Sequence, residues 1–195
     1  MNLPNKLTLA RMAMVPIFVV FLINIPVPHH TVIALGIFIL ASLTDMLDGK
    51  IARKYNLITN FGKFMDPLAD KVLVLSAMIC FVFEGWTNVW FLIAIMAREF
   101  MVSAVRLIAA DNGKVVAANM WGKVKTVTQM AAIIVILGLQ YVQELMDLFI
   151  IPAFENSRMV FYYIGEGFVA LCVLFTLISG IIYLKDNWFL MKNSK

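Results

Sequence analysis

Charged residues are scarce in this chain of 195 residues: they make up 14% of it, whereas 62% of the residues are apolar. A soluble domain carries about 25% charged and about 45–50% apolar residues. A larger soluble core cannot absorb the excess, because so short a chain must still cover itself with surface. The composition excludes a disordered chain and a disulfide scaffold as well. It predicts a polytopic membrane protein.

Cysteine and histidine are equally scarce, with two of each. Cys80 and Cys172 lie in separate apolar runs, so we predict inert residues of the membrane core. His29 and His30 lie between two apolar runs, and no third ligand is near them in the sequence. We therefore predict a solvated loop pair and not a metal site.

Six apolar runs approach the roughly 20 residues that cross a bilayer as a helix. They lie near residues 8–25, 31–52, 62–83, 88–109, 120–142 and 160–184. The sequence therefore predicts an all-α, polytopic integral membrane protein with six transmembrane helices, forming a single domain over residues 1–195. No internal repeat indicates a transporter built from two halves.

Positive charge predicts the orientation of these spans. With the N-terminus placed in the cytoplasm, the cytoplasmic side receives every lysine and arginine except Arg158, which is 15 of the 16. Cytoplasmic loops of membrane proteins carry such an excess of positive charge. We expect both termini in the cytoplasm, in a cell inner or plasma membrane.

Four aspartates stand where apolar residues would cost less. Asp45 and Asp48 lie near the cytoplasmic end of the second span, and Asp66 and Asp70 lie near the start of the third. Separations of three and four residues place each pair on one helical face. A short loop joins the two spans, so all four carboxylates are expected to converge. Divalent cations would relieve their mutual repulsion, and oxygen ligands select hard ions such as Mg²⁺, Mn²⁺ or Ca²⁺. Four carboxylates suit a site for two such ions, and we expect Mg²⁺ or Mn²⁺.

Small and basic residues accompany these aspartates. Gly49 and Gly62 would let a ligand approach the backbone closely. Arg53 lies one turn beyond Gly49 on the same face and can pair with phosphate oxygens. The pattern favours a phosphate-bearing substrate.

Residues 45–70 read D-x-x-D-G-x-x-A-R, eight residues, then G-x-x-x-D-x-x-x-D. This pattern resembles the signature of the CDP-alcohol phosphotransferases, integral membrane enzymes of phospholipid synthesis. The opening segment NLPNKLTLAR also looks like that family. The segments REFMVSAVRLIAA (residues 98–110) and GKVKT (residues 122–126) look most like its bacterial phosphatidylglycerophosphate synthases.

The resemblance implies a six-span fold, usually homodimeric, with a metal site open to the cytoplasm. It implies that Asp45, Asp48, Asp66 and Asp70 bind metal and that Asp70 is also the general base. CDP-diacylglycerol would be bound by a further set of residues: Asn5, Thr8, Gly49, Arg53, Thr59 and Gly62. The reaction would convert CDP-diacylglycerol and sn-glycerol 3-phosphate to phosphatidylglycerophosphate and CMP. No nucleic acid is expected as a partner.

A second basic group lies outside the shared motif, at Arg106, Lys123 and Lys125. Glycerol 3-phosphate carries roughly two negative charges, which a separate cationic pocket would bind. We predict that these three residues form that pocket, although cytoplasmic anchoring would also account for some of them.

Other functions remain open at this point. The same family includes enzymes whose acceptor is inositol phosphate or serine. A membrane prenyltransferase would need two separated Asp-rich motifs, normally in a longer chain. An ion-coupled transporter would leave Gly49, Arg53 and Gly62 without a purpose. Glu166 is assigned to an interhelical or a dimer contact, with neither favoured.

Overall fold

The computed structural model of the protein describes residues 2–23, 25, 27–54, 60–111 and 120–192. Side chains are described within these ranges except at residues 3–4, 45–54, 60–64, 66–67, 110–111 and 190–192. All regular secondary structure in the described part of the chain is α-helical. Six helices follow one another: α1 (Leu3–Ile23), α2 (His30–Lys54), α3 (Asn60–Phe83), α4 (Val89–Asp111), α5 (Met120–Asp147) and α6 (Ser157–Lys192). The predicted all-α class is confirmed, with a helix over each of the six apolar runs.

Three helices are long and apolar enough to cross a membrane by length and composition. These stretches are Asn5–Ile23, Met120–Asp147 and Ser157–Phe189, in α1, α5 and α6. Within the residues whose side chains are described, the apolar part of α2 is shorter, at His30–Thr44. Charged residues lie within the other two helices, as Asp70 and Lys71 do in α3 and Arg98 and Glu99 do in α4. The described residues therefore show a membrane protein with three long apolar spans, and the prediction of six spans goes beyond that finding.

Helix α6 runs well past the predicted end of its span at residue 184. Its 36 residues correspond to about 54 Å at 1.5 Å per residue, whereas the hydrocarbon core of a bilayer is about 30 Å thick. The helical backbone continues beyond the apolar segment because its hydrogen bonds do not depend on hydrophobicity.

An apolar core joins all six helices. Helix α1 packs against α2 and α3, and α6 packs against α4 and α5. The rings of Phe18 and Phe38 lie 6.0 Å apart between α1 and α2. Each helix contributes at least one side chain with no exposure or almost none, as in Phe18, Phe38, Phe81, Ile95, Ile133, Leu137 and Val169.

Polar contacts close the end of the bundle where α2 and α4 begin. The backbone N–H groups of His30 and Thr31 donate to the Glu144 carboxylate at 3.1 and 3.2 Å. His29 is half-buried, and its Nδ1 lies 3.3 Å from the hydroxyl of Tyr141. The prediction of a solvated histidine pair is therefore wrong, because the C-terminal part of α5 packs over the start of α2.

Glu166 of α6 makes an interhelical contact at the same end. Its Oε1 accepts a hydrogen bond from the backbone N–H of Asn88 at 2.6 Å, directly before α4. The side chain of Asn88 in turn accepts one from the backbone N–H of Trp90 at 3.0 Å. Glu166 thus caps the N-terminus of α4, whose unpaired N–H groups favour a carboxylate.

Candidate active site

A cavity of about 410 Å³ opens between α3, α4 and α5, at the end of the bundle opposite the Glu166 contact. Among the residues whose side chains are described, five lysines and arginines line it together with two carboxylates, which gives this part of the lining a formal net charge of +3. The charged residues around it are Asp70, Lys71, Arg98, Glu99, Arg106, Lys123 and Lys125. Such a cavity attracts an anion with more than one negative charge.

Four predicted site residues share this cavity. Asp70 lines it from α3, Arg106 from α4, and Lys123 and Lys125 from the first turns of α5. The structure thus brings the predicted general base and the three predicted acceptor-binding cations to one place. Positive charge alone would also have placed these cations at the cytoplasmic ends of the helices, but it does not require that they face an aspartate.

The three cations differ in their surroundings. Lys125 is buried, with 6% exposure, and donates a hydrogen bond from Nζ to Oε1 of Glu99 at 2.5 Å. Lys123 and Arg106 are exposed. The guanidinium carbon of Arg106 lies 5.8 Å from the ring centre of Tyr183 on α6, a cation–π arrangement. Lys125 is therefore fixed by an ion pair, whereas Arg106 rests against an aromatic ring.

Glu99 contacts several of the positively charged residues on the wall of the cavity. In addition to Lys125, it accepts a hydrogen bond from Nη1 of Arg98 at 3.0 Å. Its backbone carbonyl accepts one from the Ser103 hydroxyl at 2.7 Å and lies 3.4 Å from Nζ of Lys71. Nζ of Lys71 also contacts the Ser103 hydroxyl. Lys71 and Lys125 are thereby held beside Asp70.

A second, small pocket of about 10 Å³ shares Asp70, Glu99 and Lys125 with the cavity and adds Gln129. A pocket of this volume has room for about one water molecule. Gln129 is 3% exposed, and its Nε2 has no hydrogen-bond partner within the described part of the chain. It lies one turn after Lys125, so α5 presents a cation and an amide on the same face toward Asp70.

The predicted nucleotide-binding residues of α1 are buried. Asn5 is 7% exposed and Thr8 is fully buried. Their spacing of three places them on one face of α1, which packs against α2 and α3, the helices that carry the aspartates. Arg11, which was counted among the charges of the cytoplasmic side, lies three residues further and is fully buried too.

The remaining predicted residues lie outside the described side chains. The backbone places Asp45, Asp48, Gly49 and Arg53 in the second half of α2, and Gly62 and Asp66 in the first turns of α3. Thr59 falls outside the described residues altogether. The roles predicted for these seven residues stay predictions.

The pairing of Glu99 with the cations of the site was not predicted from the sequence. The available signal was an acid beside an arginine in the middle of an apolar run, a position that is costly for a charge unless it is paired. The partners of Glu99 are not encoded locally, because Lys125 lies 26 residues away and comes from another helix.

Comparisons with known proteins agree with this picture. The family model described as CDP-alcohol phosphatidyltransferase matches residues 1–178. A Bacillus subtilis (strain 168) protein named CDP-diacylglycerol–glycerol-3-phosphate 3-phosphatidyltransferase is 42% identical, over 99% of this chain and 98% of that protein. A Rickettsia bellii (strain RML369-C) protein of the same name is 36% identical, over 94% of each chain. A Mycobacterium tuberculosis (strain H37Rv) protein named probable phosphatidylglycerophosphate synthase is 36% identical, over 93% of this chain and 79% of that protein.

Proposed function

Because the chain belongs to the CDP-alcohol phosphatidyltransferase family, we propose that it transfers the phosphatidyl group of CDP-diacylglycerol to sn-glycerol 3-phosphate, giving phosphatidylglycerophosphate and CMP. The near full-length relatives carry names for this reaction. The structural observation that carries the proposal is the single cavity in which Asp70 lies beside the cations Arg106, Lys123 and Lys125.

The charge of the cavity favours a phosphorylated acceptor. Glycerol 3-phosphate brings roughly two negative charges, which the described lining of the cavity, with its net charge of +3, can neutralise through charged hydrogen bonds. Serine has no phosphate and would not need three cations beside the general base. The names of the relatives favour glycerol 3-phosphate over inositol phosphate. Family membership also favours the enzyme over an ion-coupled transporter.

Asp70 acts as the general base in this proposal. One of its carboxylate oxygens accepts the proton of the attacking glycerol hydroxyl. The hydroxyl oxygen forms the new bond to the lipid-side phosphorus, and the bond from that phosphorus to CMP breaks with its electron pair leaving on CMP. Arg106, Lys123 and Lys125 hold the acceptor's phosphate meanwhile, so that its hydroxyl stays near Asp70.

We propose that Asp45, Asp48, Asp66 and Asp70 hold two divalent cations, Mg²⁺ or Mn²⁺. The donor set fits, because carboxylate oxygens suit hard ions and both pairs lie on neighbouring helices with the required spacing. When bound, such ions neutralise charge on the diphosphate and on the departing CMP. Gly49, Arg53, Thr59 and Gly62 would bind CDP-diacylglycerol, and the buried Asn5 and Thr8 would contact its nucleotide.

In the membrane, we propose six spans with both termini and the cavity on the cytoplasmic side. The excess of lysine and arginine at one end of the bundle supports this orientation. Acyl chains can then reach the site from the bilayer, and glycerol 3-phosphate can reach it from the cytosol. We propose a homodimer on the family resemblance, testable by the mass of the detergent-solubilised protein.

Release of CMP tests the proposed function. The purified protein in detergent would be supplied with CDP-diacylglycerol, Mg²⁺ and one of three acceptors: glycerol 3-phosphate, inositol phosphate or serine. We expect CMP release with glycerol 3-phosphate and little with the other two. Asp70→Asn, purified in parallel, is the matched inactive control.

Three results would contradict the proposal or one of its parts. A higher rate with serine or inositol phosphate would reject the acceptor. Absence of CMP release from folded protein with every acceptor would reject the transferase. Activity that survives a chelator of divalent cations would reject the metal requirement alone.

A further inference from the structure

Glu99 is an unexpected residue for a pocket that binds phosphate. It is 8% exposed and lines the cavity as one of only two carboxylates among the described residues there. A negative charge at this place repels an anionic acceptor. Its presence therefore requires a compensating role, and its contacts identify one.

Oxygen Oε1 of Glu99 bridges two buried cations from different helices. It lies 2.5 Å from Nζ of Lys125 on α5 and 3.0 Å from Nη1 of Arg98 on α4. Without a shared carboxylate these two cations would repel each other in a medium of low polarity. The contact also uses only one of the three N–H donors of Lys125. The other two have no hydrogen-bond partner within the described part of the chain and are available to a ligand in the cavity.

The chain of contacts continues to α6. Nη2 of Arg98 donates to the Ser179 hydroxyl at 2.6 Å, and Ser179 is fully buried outside the cavity. The next residue, Gly180, allows this approach, because a Cβ atom there would lie 3.0 Å from Cγ of Arg98. Arg98 is thereby clamped between α6 and Glu99.

We infer that Glu99 is a positioning residue that holds the Lys125 ammonium for the acceptor's phosphate, and that Ser179 acts through Arg98 to hold Glu99. The inference rests on the proposed function, in which Lys125 contacts that phosphate. A lysine side chain has four rotatable bonds, and ordering it at the moment of binding would weaken affinity. The contact with Glu99 orders it before the acceptor arrives, at the cost of some repulsion between carboxylate and phosphate.

The sign of one KM change separates the two roles of Glu99. If the carboxylate mainly opposes phosphate, Glu99→Gln should lower the KM for glycerol 3-phosphate. If it positions Lys125, the same change should raise that KM by about tenfold, the effect of losing one charged hydrogen bond. We expect the rise, with the KM for CDP-diacylglycerol within about twofold of wild type.

Ser179→Ala tests the remote part of the chain of contacts with a small substitution. We expect the KM for glycerol 3-phosphate to rise about threefold, because Arg98 loses one of its two anchors. Thr176→Val is the matched control, because Thr176 is also fully buried on α6, one turn earlier. Its hydroxyl lies 3.9 Å from Sγ of Cys172 and makes no hydrogen bond to Arg98 within the described part of the chain. We expect the control to leave both KM values unchanged.

A double-mutant cycle with Lys125→Gln decides whether these residues act through Lys125. In that background we expect neither Glu99→Gln nor Ser179→Ala to raise the KM for glycerol 3-phosphate further. Equal effects in both backgrounds would overturn the inference, as would a fall in that KM on Glu99→Gln or an equal effect of Thr176→Val. If Lys125→Gln alone leaves the KM unchanged, the proposed acceptor pocket fails and the inference fails with it. If Lys125→Gln raises the KM and Glu99→Gln does not, only the inference fails.

Discussion

Replacing Lys125 by glutamine should damage both binding and stability, because this lysine is buried and paired. A charged hydrogen bond to a phosphate contributes about 1.5–3 kcal/mol. Its loss corresponds to a rise of about 10- to 150-fold in the KM for glycerol 3-phosphate. The KM for CDP-diacylglycerol should change much less, since the proposed lipid-binding residues other than Thr59, which is outside the described residues, lie on α1, α2 and α3.

The same change should lower the free energy of unfolding. Removing one partner of a buried ion pair costs about 3–5 kcal/mol when the other charge is left alone. Here Arg98 still lies 3.0 Å from Glu99, so we expect a smaller loss of about 1–3 kcal/mol. In a chain of this size each kcal/mol lowers Tm by about 2–4 °C.

Lys123→Gln is the matched control, two residues away on the same helix. Lys123 lines the same cavity but is exposed, and no ion pair involves it within the described part of the chain. We expect its replacement to raise the KM for glycerol 3-phosphate by about tenfold without a change in Tm. Steady-state CMP release and thermal unfolding in detergent, followed by tryptophan fluorescence, measure both quantities. An unchanged KM for Lys125→Gln, or an equal loss of Tm in both variants, would refute the reasoning.

Three further predictions follow from other residues. Arg106→Gln should raise the KM for glycerol 3-phosphate about tenfold. Tm should change little, because Arg106 is exposed and lies over the ring of Tyr183. A comparable rise in the KM for CDP-diacylglycerol would contradict this role. Asp70→Asn should abolish nearly all CMP release, and a chelator of divalent cations should abolish the CMP release of the wild type. A folded Asp70→Asn variant with near-normal turnover would exclude Asp70 as the base. Glu166→Ala should lower the free energy of unfolding by about 0.5–2 kcal/mol, as expected for a lost helix cap. The kcat should stay normal, because the contact lies at the end of the bundle opposite the cavity. Loss of turnover at unchanged Tm would contradict this prediction.

Hydrophobic run lengths predicted six helices and placed their boundaries within a few residues for most of them. The reason is that a membrane helix must satisfy its own backbone hydrogen bonds across the fixed thickness of the bilayer. The length of the apolar run in the sequence therefore predicts the length of the helix. The aspartate motif and the second basic group were likewise visible in the sequence, because residues three or four apart share a helical face. Those local rules predicted a common location for Asp70, Arg106, Lys123 and Lys125, which line one cavity.

The sequence alone did not determine which side chains meet between helices. Lipid and protein interior are both apolar, so the apolar surface of a membrane helix does not reveal which of its faces is turned toward a neighbour. Only the tertiary structure paired Glu99 with Lys125, joined Arg98 to Ser179 across 81 residues, and placed Glu166 on the start of α4. The histidine pair was misassigned for the same reason, because the part of α5 that covers it lies 112 residues away. Helix positions were set by local composition, whereas the paired charges of the site were set by the rotation and packing of the helices against one another.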